Sequence, residues 1–401
     1  MIRTAAGTTP DAAFPFYYIM CRRKSQSNGR EFPKIGEGKI RIVHTQFTIR
    51  RYTDRKQRFG KDETFMQITY YPVTQCAPYL RTEGRVTMTA EGLLMDWSAA
   101  GFTFRFRGNG VTLFFQRFRD MQPICGLALL DGVRYPFASV DGTAPLVLDC
   151  DMGEHTLTFL RLSEGGVRFL CRVIRVSAPA GDSSPVLLAP PAPKTRKLTF
   201  FGDSITCGYG NCGDETSGGF LTWEEDPTRG YAYRTAELLD AEAELVCISG
   251  QGIVKNCNGD LGTPIPRFWY RQNLSYDTPY DTHRQPDAVV INAGTNDCGG
   301  RVTHEEFYAG AEAFLRDLRK AYPDAEIVWF YGLMGLYYDE TLKRLIETLE
   351  PELGHLTYLP ADPIYNHVQE GEIGANGHPS VEGAERGARQ LSAKLSELLG
   401  W

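Results

Sequence analysis

Nowhere in these 401 residues does an apolar run approach the ~18 that a membrane-spanning helix needs. The apolar cluster nearest the start, Phe14-Pro15-Phe16-Tyr17-Tyr18-Ile19-Met20, is broken by proline and is followed, not preceded, by Cys21-Arg22-Arg23-Lys24. It does not read as a secretory leader. Ten cysteines are scattered without one Cys-x-x-Cys pair (Cys21, Cys76, Cys125, Cys150, Cys171, Cys207, Cys212, Cys247, Cys257 and Cys298), which argues against a zinc site. With no leader they read as reduced thiols, and a cytoplasmic location is expected. There are no internal repeats and no low-complexity tracts, and nothing calls for a metal or cofactor. A surplus of positive charge is also missing: the formal net charge of −6 argues against a general affinity for nucleic acid.

That charge is unevenly spread. Residues 1–65 hold 14 Lys/Arg against 6 Asp/Glu, net +8, while the remainder holds 29 against 43, net −14. The first segment reads as a poorly ordered extension, with Met66 as a candidate biological start. Over the whole chain, 42% apolar and 23% charged residues are ordinary globular composition, and the length suggests two domains.

From 66 to 177 the pattern is all-β. Phe102, Phe104 and Phe106 alternate with Thr103, Arg105 and Arg107, and Gly108-Asn109-Gly110 is expected to reverse the chain into Val111 to Phe115. Leu127 to Leu130, Asp131-Gly132 and Val133 to Tyr135 repeat the theme, as does His155 to Leu162 after Met152-Gly153-Glu154. Short strands spaced by glycine turns predict a β-sandwich. Residues 178–196, with Pro179, Pro185, Pro190, Pro191 and Pro193, read as a semi-rigid linker. From 197 onward strands alternate with helices: strands at Leu245 to Ile248, Ala288 to Asn292, Ile327 to Tyr331 and Leu356 to Leu359, helices at Ala232 to Leu239, Glu305 to Lys320, Asp339 to Leu349 and Pro379 to Leu399. This predicts a parallel sheet with helices on both faces.

Chemistry concentrates at the strand ends of that second half. Lys197 to Phe201 is a strand-like run, and Gly202-Asp203-Ser204 turns it toward a helical segment. A serine at the carboxyl end of a strand is placed to be a nucleophile, although Asp and Ser are equally the preferred helix caps. A second copy, Gly181-Asp182-Ser183, has no strand leading into it and reads as linker. Ser249-Gly250-Gln251-Gly252 ends the next strand with unobstructed backbone N–H groups, and Ala293-Gly294-Thr295-Asn296-Asp297 offers a side-chain amide at a third; both suit an oxyanion. His378-Pro379-Ser380 lies in a loop before the last helix, where a general base is free to face the strand ends.

These four blocks, in this order, resemble the SGNH (GDSL-type) hydrolases. The resemblance implies a flavodoxin-like domain with Ser204 as nucleophile, His378 as base, and the Ser204 and Gly250 N–H groups and the Asn296 amide as oxyanion donors. Gly101-Phe102 to Gly108, Leu130-Asp131-Gly132 and Gly153-Glu154-His155-Thr156, together with Gly202 to Gly210, are similar to carbohydrate esterase family 2. That likeness implies a jelly-roll-type sandwich ahead of the hydrolase domain and removal of acetyl groups from sugar hydroxyls. One position departs: where the family usually places an Asp three residues before the His, this chain has Ala375, followed by Asn376 and Gly377. Three readings follow: a Ser–His dyad with the imidazole held by a backbone carbonyl near 375 or 376, an acid recruited from elsewhere such as Asp362, or an inactive protein. The dyad is favoured, since a carbonyl fixes the tautomer.

His155, His283, His304, His355 and His367 are weaker candidates for the base. Cys207 reads as a packing residue. Of Trp223, Trp269, Tyr270, Trp329 and Tyr331, one or two are expected to line a sugar site. The expected function is O-deacetylation of xylo- or other oligosaccharides, with an acetylated carbohydrate as partner and neither nucleic acid nor membrane. The alternatives are another small-acyl esterase or lysophospholipase, and a carbohydrate binder with a vestigial hydrolase half.

Overall fold

The computed structural model describes residues 66–118, 123–139, 144–165, 168–181, 184–216, 221–281 and 284–401; the basic segment 1–65, Asp182-Ser183 of the second Gly-Asp-Ser copy, and His283 lie outside them. Ten strands form one antiparallel sheet: β1 (Met66–Pro72), β2 (Leu80–Glu83), β3 (Val86–Thr89), β4 (Gly92–Met95), β5 (Gly101–Phe118), β6 (Ile124–Leu130), β7 (Val133–Ser139), β8 (Leu146–Arg161), β9 (Arg168–Pro179) and β10 (Leu187–Leu188). Their order is β3-β4-β9-β5-β8-β6-β7, with β1 on β9 and both β2 and β10 on β5. Phe102, Phe104 and Phe106 on alternate positions of β5 are fully buried with Trp97, Phe159 and Phe169, so the period-two pattern does mark the core face.

Two expected turns are absent. Gly108-Asn109-Gly110 does not reverse the chain: β5 runs straight through it, and the register against β8 shifts between Gly108 and Gly110. Met152-Gly153-Glu154 likewise lies inside β8, with Gly153 opposite Gly108. The physical reason is crowding, since a Cβ on Gly108 would run into the Ser177 carbonyl of β9. The glycines therefore mark a bulge where a third backbone passes close. Asp131-Gly132 is a true hairpin turn, with φ of 51° and 79°, joining β6 to β7. The proline-rich stretch is partly tied down: β10 pairs with Arg105 and Phe106, and the Arg107 N–H donates to the Val186 carbonyl at 2.8 Å.

The second sheet is wholly parallel and built from β11 (Arg196–Gly202), β12 (Ala241–Cys247), β13 (Ala288–Asn292), β14 (Glu326–Tyr331) and β15 (Leu356–Pro360), in the order β12-β11-β13-β14-β15. Its helices are α1 (Ser204–Cys207), α2 (Tyr231–Leu238), α3 (Thr295–Gly299), α4 (His304–Ala321), α5 (Asp339–Leu353) and α6 (Val381–Leu399). Successive residues of one strand face opposite layers: Phe200 packs with Ala232 of α2 and Leu391 of α6, whereas Phe201 joins the layer of Phe314 of α4 and Leu345 of α5. The latter layer runs on through Phe268 and Trp269 to Trp97 and the antiparallel sheet. Among the described residues no helix is long and apolar enough to cross a membrane. β11 has β12 on one side and β13 on the other, so the strand order reverses beside it, and ligands of such sheets sit outside the carboxyl ends at that point.

Candidate active site

At the end of β11 a Cβ on Gly202 would lie 3.0 Å from the Asn292 carbonyl and press on Thr206, so glycine lets the chain turn sharply into α1. Asp203 caps that helix, one carboxyl oxygen accepting from the Ile205 N–H at 3.0 Å. Ser204 is the first helical residue, and its N–H is one that the helix itself leaves without an acceptor. Capping and presentation of the serine thus coexist.

The other Asp203 oxygen accepts from the Asn296 amide at 2.9 Å, and the same amide nitrogen donates to the Gln251 carbonyl at 2.9 Å. Both amide hydrogens of Asn296 are therefore engaged, and donation to a third oxygen requires sharing or releasing one of them. Burial, reinforced by the neighbouring Asp297, pushes the Asp203 carboxyl up to about 7. Gly250 follows β12 with φ +80°, a left-handed conformation that glycine adopts freely. Its carbonyl accepts from the Cys257 N–H at 2.9 Å, while among the described residues its own N–H donates to no protein group.

His378 reaches this corner from the loop before α6. Its Nε2 lies 2.8 Å from Ser204 Oγ, and its Nδ1 faces the Asn376 carbonyl at 3.3 Å. Asn376 has φ +52°, which its short polar side chain tolerates, and that side chain donates to the Tyr209 hydroxyl at 2.7 Å. The Tyr209 ring lies against the imidazole, centroids 4.4 Å apart, and the Tyr365 hydroxyl donates to the Gly377 carbonyl at 3.0 Å. Desolvation lowers the His378 pKa from its ordinary value, against the opposing pull of the Asn376 and Ala375 carbonyls. A neutral imidazole at neutral pH is ready to accept a proton.

Ala375 is fully buried. Its methyl is wedged against the next chain turn, 2.9 Å from where a Cβ would stand on Gly210 and again on Gly213, and its N–H donates to the Gly210 carbonyl at 2.9 Å. Asp362 is committed elsewhere, to His367 Nε2 at 2.6 Å, Arg386 Nη1 at 3.2 Å and the Asn366 amide at 3.0 Å. Among the described residues the other histidines have partners elsewhere: His155 bonds Asp131 and the Asp151 carbonyl, His304 bonds Thr341, and His355 pairs with Glu326. Of the aromatics, Trp269, Trp329 and Tyr331 are core, whereas Trp223 and Tyr270 are exposed. The link from Asp203 to Asn296 escaped the sequence reading, since the helix cap already accounted for Asp203. Tyr365 carried no sequence signal.

The family described as GDSL-like Lipase/Acylhydrolase matches residues 200–386. The chain is 32% identical over 290 residues to the cellulase/esterase CelE of Acetivibrio thermocellus, covering 68% of this chain and 34% of that protein. It is 29% identical over 231 residues to an acetylxylan esterase / glucomannan deacetylase of Cellvibrio japonicus, covering 54% and 60%. The chain thus spans about a third of CelE and three-fifths of the Cellvibrio enzyme. Among solved structures it resembles a family two carbohydrate esterase from Clostridium thermocellum in complex with cellohexaose (TM-score 0.70, 26% identity, 80% of this chain and 99% of that one). In fold it also resembles an acetyl xylan esterase from Butyrivibrio proteoclasticus (TM-score 0.74, 20% identity, 83% and 100%). Residues 200–386 of the chain are a GDSL/SGNH lipase–acylhydrolase domain, and the chain's structural neighbours include family 2 carbohydrate esterases.

Proposed function

We propose that this chain is a serine esterase that removes O-acetyl groups from carbohydrates through a Ser204–His378 dyad. The observation that carries the proposal is the 2.8 Å contact between Ser204 Oγ and His378 Nε2, with Nδ1 turned toward the Asn376 carbonyl and not toward an acid. His378 takes the hydroxyl proton as Oγ attacks the acetyl carbon. The resulting oxyanion is held by the Ser204 and Gly250 N–H groups, with Asn296 sharing one of its amide hydrogens. His378 then protonates the departing sugar oxygen, and water repeats the cycle on the acetyl-enzyme. The names of the relatives support acetylated polysaccharide fragments as substrates. Beside the His378 loop lies a groove of about 650 Å³ whose lining mixes Asn211, Asp214, Arg229 and Glu382 with Val368, Ile373 and Val381.

The test is acetate release from acetylated xylo-oligosaccharides and from an aryl acetate, with Ser204→Ala as control; wild-type release that the substitution abolishes is expected, and no wild-type release from either substrate refutes the proposal. Because His378 acts as the neutral base and its pKa lies below the ordinary histidine value, kcat/KM should fall only as pH drops below about 6.5. An acid limb centred above that value contradicts this assignment.

A further inference from the structure

We infer that the antiparallel domain supplies a positioning residue to the acyl-transfer centre: Glu164, whose carboxyl group ties the Ser249-Gly250 loop to the helix that begins at Ser204. One oxygen, Oε2, accepts from the Ser249 N–H at 2.6 Å and from the Cys207 thiol at 3.5 Å. Ser249 immediately precedes the proposed oxyanion glycine, and Cys207 is the last residue of α1. A single side chain from the other domain therefore touches both segments that must hold the tetrahedral intermediate. The inference rests on the esterase reading above.

The loop carrying Glu164 is itself fixed. Arg161, fully buried, donates to the carbonyls of Met95 at 2.8 Å, Ser163 at 2.6 Å and Glu164 at 2.5 Å. The Glu164 N–H donates to Glu225 Oε2 at 3.2 Å, so the hydrolase domain holds the residue that reaches back into it. Gly165 allows the close approach, for a Cβ there would run into Leu274 and stand 3.0 Å from the Asp96 carbonyl.

Anchoring Ser249 matters because the next residue is a glycine at φ +80°. The peptide that carries the Gly250 N–H can swing about the Ser249 ψ and the Gly250 φ. With the Ser249 N–H clamped, that donor keeps its aim, and a preorganised donor costs no reorganisation when the oxyanion forms.

The experiment compares wild type with Glu164→Leu, which fills the volume without an acceptor, and Glu164→Gln, which retains one, using an aryl acetate and Ser204→Ala as the floor. Glu164→Leu should lower kcat about 10²-fold, the size expected for a misplaced oxyanion donor. Its KM should stay near wild type, and Glu164→Gln should recover most of kcat. Should Glu164→Leu not fold, Glu164→Ala replaces it in the same comparison. An unchanged kcat in the variant without an acceptor, a rise in KM alone, or equal losses in both variants with parallel falls in Tm overturns the inference while leaving the esterase reading intact. Turnover that survives in Ser204→Ala overturns that reading and the inference with it.

Discussion

Two glutamates are buried where the antiparallel sheet meets the parallel one, and they are held in opposite states. Glu244, on β12, receives Arg85 Nε at 3.1 Å, Lys197 Nζ at 3.0 Å and the Tyr280 hydroxyl at 2.5 Å, with Arg85 arriving from the turn between β2 and β3. Burial alone would raise its carboxyl, but the two cations overturn that and hold it at about 2. Glu225, beside the loop of Glu164, accepts the Glu164 N–H at 3.2 Å and has, among the described residues, no cation in hydrogen-bond contact. Burial and the nearby Glu164 push its carboxyl well above the usual range, with Arg161 opposing only in part. Charge is matched near the start of β11 and unmatched next to Ser249 and Cys207. The matched cluster fastens the two domains, whereas the unmatched one sits where catalysis is proposed, the pattern expected when local stability is given up for a site.

The largest predicted effect breaks the matched side. Arg85→Met removes one of the two cations that hold buried Glu244 and should cost about 3 kcal/mol in urea unfolding, the low end for breaking a buried pair because Lys197 remains in place. A loss below about 1 kcal/mol would mean that the pair is worth no more than an exposed one. A smaller effect of opposite sign sharpens the unmatched side. A carboxyl whose folded pKa is raised destabilises the fold as pH climbs above its unfolded value of about 4.3. Glu225→Gln should therefore raise Tm more at pH 8 than at pH 4.5; an equal change at both would remove charge from the explanation. The matched cluster has the reverse dependence, since Glu244 contributes stability above that same unfolded value and loses it as pH falls toward about 2.

The same contrast explains what was legible in the sequence. The parallel sheet could be read because each strand is a short apolar run next to an amphipathic helix; α4 spans His304–Ala321 where Glu305 to Lys320 was expected. The site blocks could be read because turn chemistry is local, and the fold brings Ser204 and His378, 174 positions apart, to 2.8 Å. Gly108 and Gly153 were misread because a glycine needed for a passing strand is spelled like one needed for a turn. Glu164 was not legible at all: it meets Ser249 from 85 positions away across a domain boundary, and an acidic residue in a loop carries no mark of its partner. The reason for alanine at 375 also needed three dimensions, because its methyl fills the space between Gly210 and Gly213.

In the proposed dyad His378 is oriented by the Asn376 carbonyl and not by a carboxylate. The most direct measurement is kcat on an aryl acetate for Asp362→Asn, with His378→Ala as the floor. Asp362 is engaged by His367 and Arg386, so the account predicts kcat for Asp362→Asn close to wild type. A loss approaching the ~10⁴ that follows removal of a triad acid would contradict it.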